Sequence, residues 1–84
     1  MNTKILRGIL VSLLQCDGVA MPENALIGAA QIMCRPHEPT DADITDRMKN
    51  LQAHGLILGV TDDLTKERSW TLTTTGVHKA RQLR

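Results

Sequence analysis

Hydrophobic positions recur three and four residues apart in the first stretch of the chain, TKILRGILVSLLQCD, where Ile5, Leu6, Ile9, Leu10, Leu13 and Leu14 fall on one side of a helix. Thr3 can cap its start and Gly18 its end, so the spacing predicts a helix over residues 3–17. A second helix is expected from about Pro22, which suits a first turn because its missing N–H needs no partner there, to Met33 or Cys34. Glu23 favours the positive end of that helix, and Ala25, Leu26, Ala29, Ala30, Ile32 and Met33 supply its buried side. Pro36 and Pro39 in RPHEPT then forbid a continuous helix and make an ordered connector. In TDADITDRMKNLQAHG, Thr40 and Asp43 have the spacing of a capping box. Ile44, Met48 and Leu51 form the inward stripe of a third helix, and Gly55 is its stop.

After Gly55 the period changes. LILGV at 56–60 and SWTLT at 69–73 read as the two strands of a hairpin, joined by the polar stretch TDDLTKER. Trp70 and Leu72 point to one side of their strand, which places the indole in the core. TTGVHKARQL, 74–83, is a closing helix with Val77, Ala80 and Leu83 facing inward. The order is helix, helix, helix, strand, strand, helix. With no internal repeat or composition break, residues 1–84 are expected to form a single domain.

Composition narrows the picture. Trp70 is the only aromatic residue, so aliphatic side chains must fill the core, an inventory that suits helix-on-helix packing. A core this small is marginal, and a homodimer that buries further apolar surface is an expected arrangement. Ten basic residues against nine acidic ones leave a net charge of +1, which gives no global attraction to nucleic acid, membrane or acidic substrate. The longest apolar stretch is broken by Lys4, Arg7 and Ser12 and is too short to cross a membrane, so a soluble cytoplasmic protein is expected. Cys16 and Cys34 have no C-x-x-C spacing and read as buried, reduced thiols. His37, His54 and His78 lack metal-ligand spacing, and His54 suits a role at a helix end. Without a Gly-rich phosphate loop, a nucleophile elbow or a carboxylate pair flanking a cleft, neither an enzyme nor a cofactor is expected.

Two stretches carry a family resemblance. MKNLQAHGLI is similar to a third helix running through Gly into a first wing strand, and WTLTTTGVHKARQL to a second wing strand passing through Leu-Thr and Gly into a last helix. In this order the chain resembles the winged helix-turn-helix family over nearly its whole length. It has a fainter similarity to small winged-helix proteins of Mu-like bacteriophages. The resemblance implies a mainly α fold with a small β-hairpin: a three-helix core, a two-stranded wing and a C-terminal helix. It also implies double-stranded DNA as partner, with the third helix in the major groove and the wing on the backbone or minor groove.

The third helix itself gives a mixed answer. At roughly 100° per residue, Ala42, Asp43, Asp46, Lys49, Asn50 and Ala53 point away from the core, with Thr45 and Arg47 on the flanks. Thr45, Arg47, Lys49 and Asn50 are suited to DNA, Arg47 and Lys49 for phosphate and Asn50 for adenine. Asp41 and Asp43 favour the helix dipole, but Asp46 works against phosphate. In the hairpin loop, Lys66 and Arg68 are candidate phosphate contacts set among Asp62, Asp63 and Glu67, and Arg35 is a further candidate. Lys79, Arg81 and Arg84 make the last helix basic. The leading expectation is a DNA-binding regulator or nucleoprotein component that uses Thr45, Arg47, Lys49, Asn50, Lys66 and Arg68. The alternative is a protein interaction module on the same scaffold, with a partner on the acidic third helix.

Overall fold

The computed structural model describes residues 3–16, 19–36 and 39–83. Asp17, Gly18, His37 and Arg84, named above, lie outside them, as does the side chain of Thr3. The elements are α1 (Thr3–Gln15), β1 (Met21–Pro22), α2 (Glu23–Met33), α3 (Asp41–Ala53), β2 (Ile57–Thr61), β3 (Arg68–Leu72) and α4 (Thr74–Leu83).

The three-and-four spacing of α1 puts Ile5, Ile9, Leu10 and Leu13 in the core, while Leu6 and Leu14 are half-buried against it, Val11 and Ser12 are buried as well, and the helix ends at Gln15 rather than at 17. This helix packs on α2 and α4 and also touches α3 and β3. Gly8 lets α2 come close, since a Cβ there would stand 3.2 Å from the carbonyl oxygen of Ala30. Leu26 and Ala30 from α2, Ile44, Met48 and Leu51 from α3, Ile57, Trp70 and Ala80 complete one core. The indole N–H of Trp70 is not left unpaired by burial. It donates to Glu23 Oε1 at 3.2 Å, which ties β3 to the start of α2.

Both ends of α3 are built by the residues read from the sequence. Thr40 Oγ1 accepts from the Asp43 N–H at 3.2 Å, and Asp43 Oδ2 accepts from the Thr40 N–H at 3.3 Å, a complete capping box. At the other end Gly55 takes φ +74°. The Leu56 N–H then donates to Leu51 O and the Gly55 N–H to Gln52 O, each at 3.0 Å, the paired bonds of a Schellman stop. His54 occupies the C-cap and its Nδ1 lies 2.8 Å from Asn50 O, in keeping with the role expected at a helix end. Gln31 joins α2 to α3, its amide donating to Asp41 Oδ1 at 2.7 Å and to Pro39 O at 3.2 Å.

The sheet adds a strand to the expected two-stranded wing. It has three antiparallel strands in the order β1-β3-β2, because Met21 and Pro22 pair with Trp70 and Ser69. Pro22 is also the N-cap of α2, so that helix begins one residue later than expected. The hairpin strands are each displaced by one residue from the expected limits. Leu56 is used up in the stop of α3, and its carbonyl accepts from the Thr73 N–H at 3.1 Å. Thr73 in turn caps α4, its Oγ1 accepting from the Gly76 N–H at 3.0 Å and donating to Gly55 O at 2.6 Å.

Three smaller expectations also change. On α2, Ala25 and Ile32 are exposed, and Ile27, not expected inside, is buried with Leu26 and Ala30. In α4 the fully buried positions are Gly76 and Ala80, while Val77 is half-buried. The reason is how closely the first turn approaches the chain just before β2, since a Cβ on Gly76 would collide with the Leu56 carbonyl. Cys34 is buried as expected, but Cys16 is only half-buried, just past the end of α1; both are free thiols.

Candidate nucleic-acid interface

The buried stripe of Ile44, Met48 and Leu51 divides the rest of α3 into two flanks, which face different neighbours. Thr45 looks toward the wing. It shares a groove with Glu23 and Asn24 at the start of α2 and with Thr61, Lys66, Glu67 and Arg68 from the hairpin. Arg47 and Asn50 lie on the opposite flank, in a hollow with Ile5 of α1 and with Asp43 and Asp46. Lys49 is exposed on the outer surface. The six residues singled out in the sequence therefore do not make one patch: three of them line the α3–wing groove together with Glu23 and Glu67, and two sit beside Asp43 and Asp46 near α1.

Local chemistry differs between the flanks. The Thr45 hydroxyl donates to Asp41 O at 2.9 Å, so what it has left to offer a ligand is its acceptor capacity. Arg47 is half-buried, and its Nε is shielded from solvent without a hydrogen-bond partner. That burial is a cost unless a polar group reaches it.

The wing is an ordered turn. Asp62 Oδ1 accepts from the N–H groups of Leu64 and Thr65 at 2.8 and 3.2 Å, and Asp62 O accepts from the Lys66 N–H at 2.8 Å. Lys66 adopts φ +63°, unusual for a side-chain-bearing residue and costing on the order of 1 kcal/mol. Arg68 lies with its guanidinium carbon 5.7 Å from the Trp70 ring centroid, which steadies its base while leaving the residue exposed. Asp63 and Glu67 are exposed on the same loop, so the wing carries acids among its bases. Arg35, the other candidate, is exposed in the connector before α3.

Asn24 and Thr61 were not singled out in the sequence. Each is an ordinary polar residue at an element boundary, and only the packing of the wing against α2 and α3 gives it a place in the groove. Among the described residues no cluster of His, Cys, Asp and Glu could hold a metal ion, and no helix is long and apolar enough to cross a membrane.

Three helices, a hairpin wing whose second strand pairs with β1, and a closing helix make this a winged helix-turn-helix fold. No family model and no curated protein matches the sequence. Solved structures do match. Staphylococcus aureus MepR in its DNA-binding conformation superposes with a TM-score of 0.72 at 19% identity, over 98% of this chain and 54% of that one. The S. aureus MepR–DNA complex gives 0.69 at 22% identity, over 98% of this chain and 60% of that one. Heme-free PefR gives 0.68 at 19% identity, over 93% of this chain and 52% of that one. MepR is a transcription regulator of the multidrug efflux pump MepA. The chain thus spans between half and three fifths of the length of these structures, and at such identities the likeness establishes the fold.

Proposed function

We propose that this protein binds double-stranded DNA through α3 and the β2–β3 wing, as a cytoplasmic transcription regulator or a component of a nucleoprotein assembly. The observation that supports this most is the shared groove of Thr45, Lys66 and Arg68 in a fold whose solved relatives include a DNA complex. Lys66 and Arg68 would take backbone phosphates from the wing while α3 enters the major groove. Thr45, with its hydroxyl hydrogen already committed, would accept from a base amino group, and Lys49 would reach phosphate. Asn50 has the amide geometry for an adenine edge. Arg47 would contribute from the α1 flank, where Asp43 and Asp46 limit its attraction to phosphate.

The test is fluorescence anisotropy of a labelled mixed-sequence duplex across a salt series. Binding that weakens with salt is expected, and Lys66→Ala and Arg68→Ala should each weaken it and lower the salt slope by about 1. A protein that leaves the duplex free even at low salt would rule the reading out.

A further inference from the structure

The most exposed large apolar side chain among the described residues is that of Leu64, at 93%. It stands in the tip of the wing, residues 63–66, which Asp62 and Glu67 close. The Asp62 N–H donates to Glu67 O and the Lys66 N–H to Asp62 O, each at 2.8 Å. Inside that frame Asp62 Oδ1 accepts from the Leu64 N–H at 2.8 Å, and Thr65 Oγ1 accepts from the Glu67 N–H at 3.3 Å. The backbone under Leu64 is thus fixed while its side chain is left in water. Its neighbours in the tip are all polar or charged. Leu58 and Val60, the other exposed aliphatic residues of the wing, lie further down, on β2.

Charge alone gives this tip no hold on a duplex. From Asp62 to Arg68 three acids stand against two bases, so the loop as a whole is not drawn to phosphate. A lone leucine among charges is also too small to be the core of a protein contact, which buries about 1,200 Å² or more. It does match a minor groove, about 6 Å wide and walled by sugars that present carbon.

We propose that Leu64 is an apolar wedge: on a duplex it enters the minor groove beside the phosphates held by Lys66 and Arg68, packs on sugars and base edges, and partly unstacks one base step. The inference rests on the duplex reading above and adds a sequence preference to it. The 2-amino group of guanine projects into the minor groove and obstructs the wedge, whereas A·T pairs leave the floor open. Pyrimidine–purine steps such as TA unstack most easily and are the favoured landing point. Because the backbone of the tip is pinned, Leu64 cannot withdraw from an obstruction, and the duplex is selected rather than accommodated.

Fluorescence anisotropy of the full chain tests this with three duplexes of equal length, whose centres are A·T, G·C and inosine·C pairs. Inosine lacks the 2-amino group and keeps the major-groove edge of guanine, so it isolates the minor groove. The wild-type protein should bind the A·T and inosine duplexes alike and the G·C duplex several-fold more weakly. Leu64→Ala should lose about three- to tenfold on the first two and bind all three alike. Its salt slope should match that of wild type, because no charge is removed. Leu64→Met, apolar and of similar volume, should keep both the affinity and the preference. The exposed position leaves the fold intact in either variant, and Trp70 fluorescence checks it. Leu64→Ala with unchanged affinity and preference overturns the wedge while leaving the duplex reading in place, and assigns the tip to a protein partner or to solvent. A G·C duplex bound as tightly as its inosine counterpart by wild type also overturns it. A wild-type protein that binds none of the three at low salt overturns the duplex reading itself, and the wedge with it.

Discussion

The Trp70 ring lies across Gly59, its partner on the neighbouring strand, so closely that a Cβ at Gly59 would stand 2.9 Å from Cζ3 and 3.0 Å from Cη2. The indole is 1% exposed and cannot swing away. Gly59→Ala should therefore cost about 1–3 kcal/mol, the usual range for overpacking. Leu58→Ala, on the exposed face of the same strand, should stay within about 0.5 kcal/mol of wild type. Urea unfolding followed by the fluorescence of this single tryptophan measures both, and equal effects would contradict the packing described.

Trp70 also depends on Glu23. Removing the acceptor with Glu23→Ala leaves a buried indole N–H unsatisfied and should cost about 1–3 kcal/mol. Glu23→Gln keeps an oxygen in place and should recover most of that loss. The two variants, compared by the same unfolding curves, separate a missing hydrogen bond from a missing charge.

The first turn of α4 leaves no room for any side chain at its third residue. Gly76→Ala drives a methyl group into the Leu56 carbonyl, and because that carbonyl accepts from Thr73 the backbone there cannot easily yield. A loss of about 3 kcal/mol or more, or failure to fold, is expected. Circular dichroism on heating distinguishes either outcome from wild type, and an unchanged Tm would show that α4 is not pressed on the Leu56 carbonyl as described.

Thr40→Ala removes one half of the α3 capping box and should destabilise by about 1 kcal/mol, while Thr40→Ser should be close to neutral. Because α3 holds the proposed reading residues, amide exchange of its first turn is the direct readout: faster in Thr40→Ala and unchanged in Thr40→Ser.

Asp46 is exposed, outside the capping box, and beside Arg47 and Asn50. If α3 approaches a duplex, Asp46→Asn should strengthen non-specific binding several-fold at low salt by removing a repulsion from phosphate. Anisotropy titrations of the two proteins in one salt series would show it, and equal affinities would take this flank out of the interface.

Much of the fold is written locally in the sequence. The apolar spacing of α1, the Thr40–Asp43 box and the Gly55 stop are short-range signals, each complete within a few residues, and each forms as read. Strand β1 was not legible because two residues cannot show a period, and Pro22 looks like a helix start, which it also is. The candidate residues could be picked out from the sequence, but not their arrangement. Helical periodicity puts Thr45 and Arg47 on opposite flanks of the stripe, yet it cannot say which flank meets the wing. That is decided by the return of the hairpin over α2, a contact between residues far apart in the chain. The same holds for the exact limits of β2, which depend on how Leu56 is shared among α3, Thr73 and Gly76.

The central claim is that α3 and the wing together form the DNA-binding face, and an amide NMR titration of labelled protein with mixed-sequence duplex tests it most directly. At low salt the account predicts shifts concentrated on Thr45, Lys49 and Asn50 and on Thr61, Lys66 and Arg68, fading as salt is added. Absence of shifts at low salt, or shifts confined to α1 and α4, would contradict it.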